Sequence, residues 1–163
     1  MSNILAGLRE HPVRRFSAGE TLLEQGASTG LLYILIEGEV EVTKDGVWLA
    51  TTSEPGAIFG DLAALLRAPH TANVRALRES SFYVVTEARA FLVAHPDVNL
   101  HLCELLARRL DALTKYLIDV KQQFTGHDHL GMVDGMLDTL IHRHPRARVA
   151  PKPSSVRDPE VAD

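Results

Sequence analysis

With 163 residues, 45% of them hydrophobic and 23% charged, the chain has the make-up of one soluble globular domain and little room for a second of ordinary size. A formal net charge of −4 provides no global basic field towards nucleic acid or anionic lipid, so DNA binding would need a local basic element. The lone cysteine, Cys103, excludes an internal disulfide, a thiolate iron–sulfur cluster and a cysteine-rich zinc site. Its leucine-rich surroundings read as those of a buried small hydrophobe in a reducing compartment. No charged-then-apolar leader opens the chain and no apolar run approaches the roughly 18 residues of a membrane span, so a cytoplasmic protein without membrane contact is expected.

In chain order, Asn3 to His11 reads as a short amphipathic helix with Ile4, Leu5 and Leu8 on one side and Pro12 beyond it. Val13–Phe16 and Thr21–Glu24 are β-like and separated by a turn, and Gln25–Gly30 is a second turn-rich connection. Leu31–Glu37 is a strongly apolar strand, Gly38 breaks it, and Val40 and Val42 alternate with Glu39 and Glu41 in the next. Asp45-Gly46 signals a hairpin, because both central positions of such a turn favour positive φ, and Val47–Thr51 pairs back across it. Pro55–Gly60 reads as a loop running into a helical turn, Asp61–Leu66, which Pro69 ends. Thr71–Ala76 and Ser80–Thr86 are two further strands, followed by a helix over Glu87–Ala94 closed by His95-Pro96. Short strands at close, even spacing predict an α+β chain built on an antiparallel barrel or roll with flanking helices.

Asp97 is the expected cap of the longest helix, 97–124. Within it Leu106, Leu110, Leu113, Leu117, Val120 and Phe124 recur at intervals of four and three, a heptad seam on a rod of ~40 Å. Such a seam wants a second helix, and its own copy in a homodimer is the simplest one. Leu102, Leu105 and Ala112 lie off the seam and are expected to pack the helix onto the roll. A shorter amphipathic helix is expected within 125–144, over 127–142, weakened by Gly131 and Gly135. From 145 to 163 the chain is rich in Pro, Arg, Ser and Ala without apolar periodicity, and disorder is expected there.

The run Phe59-Gly60-Asp61-Leu62-Ala63-Ala64-Leu65-Leu66-Arg67-Ala68-Pro69-His70-Thr71-Ala72 resembles the phosphate-binding cassette of the cyclic-nucleotide-binding domain family, which includes catabolite activators, FNR-type regulators and the regulatory subunits of cyclic-nucleotide kinases. That cassette usually reads Phe-Gly-Glu-Leu-Ala, a short helix, then Pro-Arg-Ser/Thr-Ala, and the spacing here matches without a gap. The resemblance covers about residues 10–124 and implies an antiparallel β-roll (a double-stranded jelly-roll) that serves as a sensor module for cAMP or cGMP, with no other cofactor, acting on a protein effector. A helix starting after a glycine loop offers free N–H groups to a phosphate. The resemblance places Phe59, Gly60, Asp61, Leu62, Ala63, His70, Thr71 and Ala72 at the ligand, with Arg109 and Thr114 as candidate base contacts.

Two positions depart from the family pattern. Asp61 replaces the usual glutamate, keeping the carboxylate but losing a methylene of reach. His70 replaces the usual arginine, and neither form of imidazole reproduces the guanidinium fork. Three accounts stay open: weaker, pH-dependent nucleotide binding, a different small anionic ligand, or an empty structural site serving as an interaction scaffold. Arg67 and Arg75 could substitute, but read as solvated surface residues.

An enzyme is not expected, because no Walker loop, Gly-x-Ser-x-Gly elbow or zinc-protease helix motif is present. His127 and His129, two apart, splay on a helix rather than align, and with His142 and His144 they read as solvated helix ends, not a metal site. Direct DNA binding is not expected either. Only 39 residues follow Phe124, and the small basic cluster Arg143, Arg146, Arg148 and Lys152 has no recognition helix.

Overall fold

The computed structural model describes residues 4–123, 136, 137, 139 and 140. It divides the chain into two compact units, Met1–Leu105 and Leu106–Asp163. In the first unit, strands β1 (Val13–Phe16), β2 (Thr21–Leu23), β3 (Leu32–Glu37), β4 (Val40–Lys44), β5 (Val47–Thr52), β6 (Ile58–Phe59), β7 (Asn73–Ala76) and β8 (Ser80–Val85) are joined by helices α1 (Ile4–Gly7), α2 (Asp61–Leu66) and α3 (Ala88–Ala94). Two four-stranded sheets result, ordered β1-β8-β3-β6 and β2-β7-β4-β5. Every pairing is antiparallel, so the expected β-roll is the observed architecture.

Side-chain alternation explains how the two sheets close on one another. Phe16, Tyr33, Leu35, Phe59 and Phe82 from the first sheet meet Leu22, Leu23, Val40, Val74 and Ala76 from the second in one buried cluster. On β3 the intervening residues Leu32 and Ile34 are fully buried too. That opposite face is therefore covered as well, and in the same unit Leu8, Phe91, Leu92, Val98 and Leu102 are buried too. The Asp45-Gly46 turn carries φ of 51° and 77° and leaves Lys44 paired with Val47, the two-residue hairpin the dipeptide signals.

The structure corrects several expected details. Helix α1 ends at Gly7 rather than His11, and β7 begins at Asn73 rather than Thr71. Ile58–Phe59, read as loop, is a strand that pairs with Tyr33 and Ile34. Two residues show no periodicity, which is why it reads as loop. Helix α4 (Pro96–Gln123) starts at proline, with Asp97 inside its first turn. Proline suits that position because the first N–H has no intrahelical partner and its φ is already helical.

Cys103 is exposed, not buried. Val98 and Leu102, four apart, are the buried positions of these turns, and residue 103 lies a further 100° round the helix. Ala112 is exposed as well, and Leu105 is half-buried. On the seam, Leu110 and Leu113 are 46% and 48% exposed and Leu117 is buried, while Leu106 and Val120 are half-buried. Phe124 and residues 141–163, with the histidine pairs and the basic cluster, lie outside the described residues. So does the expected 127–142 helix, apart from the helical residues 136, 137, 139 and 140. Among the described residues no helix is long and apolar enough to cross a membrane.

Candidate functional site

The cassette is built from the sheet outward. Phe59 is buried in the core cluster and packs edge-on against Phe82 at 6.3 Å, so it anchors the segment that follows. Gly60 then turns the chain into α2 with φ 87°. A Cβ there would fall inside contact with the Leu31 carbonyl oxygen. Only glycine meets both demands, the left-handed backbone and the close approach. The helix closes at Arg67, itself left-handed at φ 53°, whose N–H donates to the Ala63 carbonyl. The Ala68 N–H donates to the same oxygen at 3.1 Å, and Pro69 prevents further turns.

The return segment is clamped to the β2–β3 connection. The His70 N–H donates to the Ala27 carbonyl at 2.8 Å, and the Gly26 N–H to the His70 carbonyl at 2.8 Å. The Asn73 side-chain oxygen accepts the Gln25 N–H at 2.8 Å. His70 Nε2 lies 2.6 Å from the Thr29 hydroxyl oxygen. That oxygen also accepts the Leu31 N–H at 3.2 Å. His70 is only 4% exposed and Asp61 5%. Burial pushes the His70 pKa below the ordinary imidazole value, which favours the neutral ring at neutral pH.

A cleft of about 470 Å³ opens beside this clamp, lined by His70 and Thr29, by Ala63, Ala64 and Arg67 of the cassette, and by Glu87 and Arg89 where α3 begins. The Arg89 guanidinium ties α3 to α2 by donating to the Leu65 carbonyl at 3.1 Å. Of the sequence-predicted site residues, His70 and Ala63 reach this cleft. Leu62 is 40% exposed, Thr71 and Ala72 are half-buried just before β7, and Gly60 and Asp61 form the start of α2.

Arg109 and Thr114 belong to the second unit. Arg109 is exposed, and the Thr114 hydroxyl donates to the Leu110 carbonyl at 2.8 Å. Arg75 is a surface residue, as expected, paired with Glu41 at 2.5 Å, and Arg67 is exposed. Among the described residues no group of three or more His, Cys, Asp or Glu could hold a metal ion. Thr29 and Asn73 were not readable as site residues, because their partners lie 41 and 48 residues away in sequence and neither sits in a local motif.

Comparison with known proteins agrees with this geometry. The cyclic nucleotide-binding domain family matches residues 13–92. The cAMP-dependent protein kinase regulatory subunit of Yarrowia lipolytica is 38% identical over 72 residues, 44% of this chain and 18% of that protein. An uncharacterized ABC transporter ATP-binding protein of Mycobacterium bovis is 38% identical over 78 residues, 45% of this chain and 23% of that one. The chain thus spans less than a quarter of the length of these curated relatives. The catabolite activator protein of Thermus thermophilus aligns with a TM-score of 0.61 and 25% identity, covering 72% of this chain and 58% of that one. The β-roll of this chain, residues 13–92, belongs to the cyclic nucleotide-binding domain family.

Proposed function

We propose that this domain is a regulatory sensor, not an enzyme, which binds cAMP or cGMP at the 59–72 cassette and passes the bound state through α4 of a homodimer to a partner protein. One observation carries the reading: the cassette matches the family in spacing and folds as a glycine-launched helix whose return segment is clamped beside it. The likeness to a cAMP-dependent kinase regulatory subunit supports the ligand class. A ligand acts here only through unequal affinity for two arrangements of the domain. The test is calorimetric titration of the full chain with cAMP and with cGMP. Saturable heat at one site per chain is the expected result, weakened in His70→Ala by roughly threefold to tenfold, the worth of one hydrogen bond.

The burial of Asp61 and His70 favours a second reading, a ligand-free scaffold of the same fold. A folded protein that gives no heat with either nucleotide would sink the first reading and leave the scaffold or a different small anionic ligand. For the homodimer, the support is the exposure of Leu110 and Leu113 on one seam. Burying a leucine from each copy stabilises by about 1.5–3 kcal/mol apiece. Leu113→Asp is therefore expected to raise the dimer dissociation constant at least about a hundredfold. Sedimentation equilibrium would read this directly, and an unchanged mass would remove the dimer from the proposal.

A further inference from the structure

We infer that Thr29 is a positioning residue for His70: its hydroxyl holds the imidazole in the Nδ1–H tautomer, so that His70 meets a ligand phosphate as a neutral, single hydrogen-bond donor. The inference rests on the cassette reading above and adds to it the atom and the protonation state that His70 presents.

The Thr29 oxygen accepts the Leu31 N–H at 3.2 Å and lies 2.6 Å from His70 Nε2. That oxygen is already engaged by the Leu31 N–H, and we assign the Thr29 O–H as donor and Nε2 as acceptor of the 2.6 Å bond. A neutral imidazole carries one N–H, and an Nε2 that accepts leaves it on Nδ1. The chain of bonds then runs from the Leu31 N–H through the Thr29 O–H to Nε2, with Nδ1–H at its open end. Among the described residues no buried side-chain nitrogen or oxygen lacks a partner, and none of these residues bonds Nδ1. Nδ1 is therefore the ring nitrogen available to the cleft that His70 lines.

The charged groups that line the cleft with His70 are few. Arg67 from the end of α2 and Arg89 from α3 line the cleft, opposed by Glu87 alone from the β8–α3 turn. Burial lowers the pKa of the ring and so disfavours an imidazolium. An arginine at this position would bring its own charge. His70 instead supplies a donor whose direction is fixed from a loop 41 residues away.

The experiment uses the full chain, ¹⁵N-labelled, with long-range proton–nitrogen correlations of the His70 ring at pH 7 and pH 8 as the first readout. The expected spectrum is a neutral ring protonated on Nδ1. Thr29→Val is expected to shift the tautomer towards Nε2–H, and Thr29→Ser to retain the wild-type pattern. Titration with cAMP is the second readout: affinity equal at pH 7 and pH 8 in wild type, roughly threefold to tenfold weaker in Thr29→Val, and restored by Thr29→Ser. An imidazolium or an Nε2–H ring in the wild type at pH 7, or a Thr29→Val spectrum identical to wild type, would overturn the inference. An Nδ1–H ring in a protein that takes up neither cAMP nor cGMP would uphold the role of Thr29 and bring down the nucleotide reading alone.

Discussion

Replacing Phe82 with alanine is expected to lower the folding free energy by about 3–5 kcal/mol, a large share of what a domain of this size holds in reserve. Phe82 is fully buried, and its ring meets those of Phe16, Tyr33 and Phe59 edge-on at 5.7, 5.9 and 6.3 Å. These four side chains come from four different strands of one sheet, so the ring joins the sheet laterally as well as filling the core. Strand β8 is also paired on both sides, with β1 and with β3. The surrounding backbone is thereby fixed and cannot collapse into the space the ring vacates, which places the cost at the upper end for large-to-small changes. Urea denaturation would measure it as a drop in midpoint at unchanged slope. A loss below about 1 kcal/mol would mean that this cluster does not carry the roll. Val47→Ala, at a position 61% exposed, is the matched control and is expected to change little.

What could be read from the sequence was whatever is local. The Asp45-Gly46 hairpin needs two residues with positive φ, and the residues themselves announce it. The cassette is similarly a short run in which a glycine, a helical turn and a proline each carry their own conformational rule. The seam on α4 is legible because helical period is fixed, whereas the exposure of Cys103 is not. A leucine-rich neighbourhood says nothing about which side of the helix a residue occupies. The order of strands in the two sheets was not legible, since β1 pairs with β8 and β2 with β7 across most of the roll. The Thr29–His70 bond was hidden for the same reason. It depends on bringing the β2–β3 connection against the cassette, a consequence of topology that no spacing rule within either segment contains.

Gly60→Ala tests the point at which that topology and the site meet. An L-residue at φ 87° sits in a strained region that costs of order 1–3 kcal/mol. In addition, the new Cβ falls on the Leu31 carbonyl oxygen, a backbone atom that cannot rotate away as a side chain would. Either the start of α2 or the β2–β3 connection has to move. The second choice displaces the Thr29–Leu31 turn that holds His70, and the first displaces Asp61, Leu62 and Ala63 directly. Both routes disturb the cassette, and each hydrogen bond lost to a charged phosphate costs about 1.5–3 kcal/mol. The expected result is a lowered melting temperature together with cAMP affinity reduced at least about tenfold, measured by calorimetry at a temperature where the variant remains folded. Wild-type stability and affinity in this variant would mean that the glycine launch of α2 matters neither to the fold nor to the ligand. Lost stability with wild-type affinity would separate the two and move the ligand away from the start of α2, towards the cleft between His70 and α3.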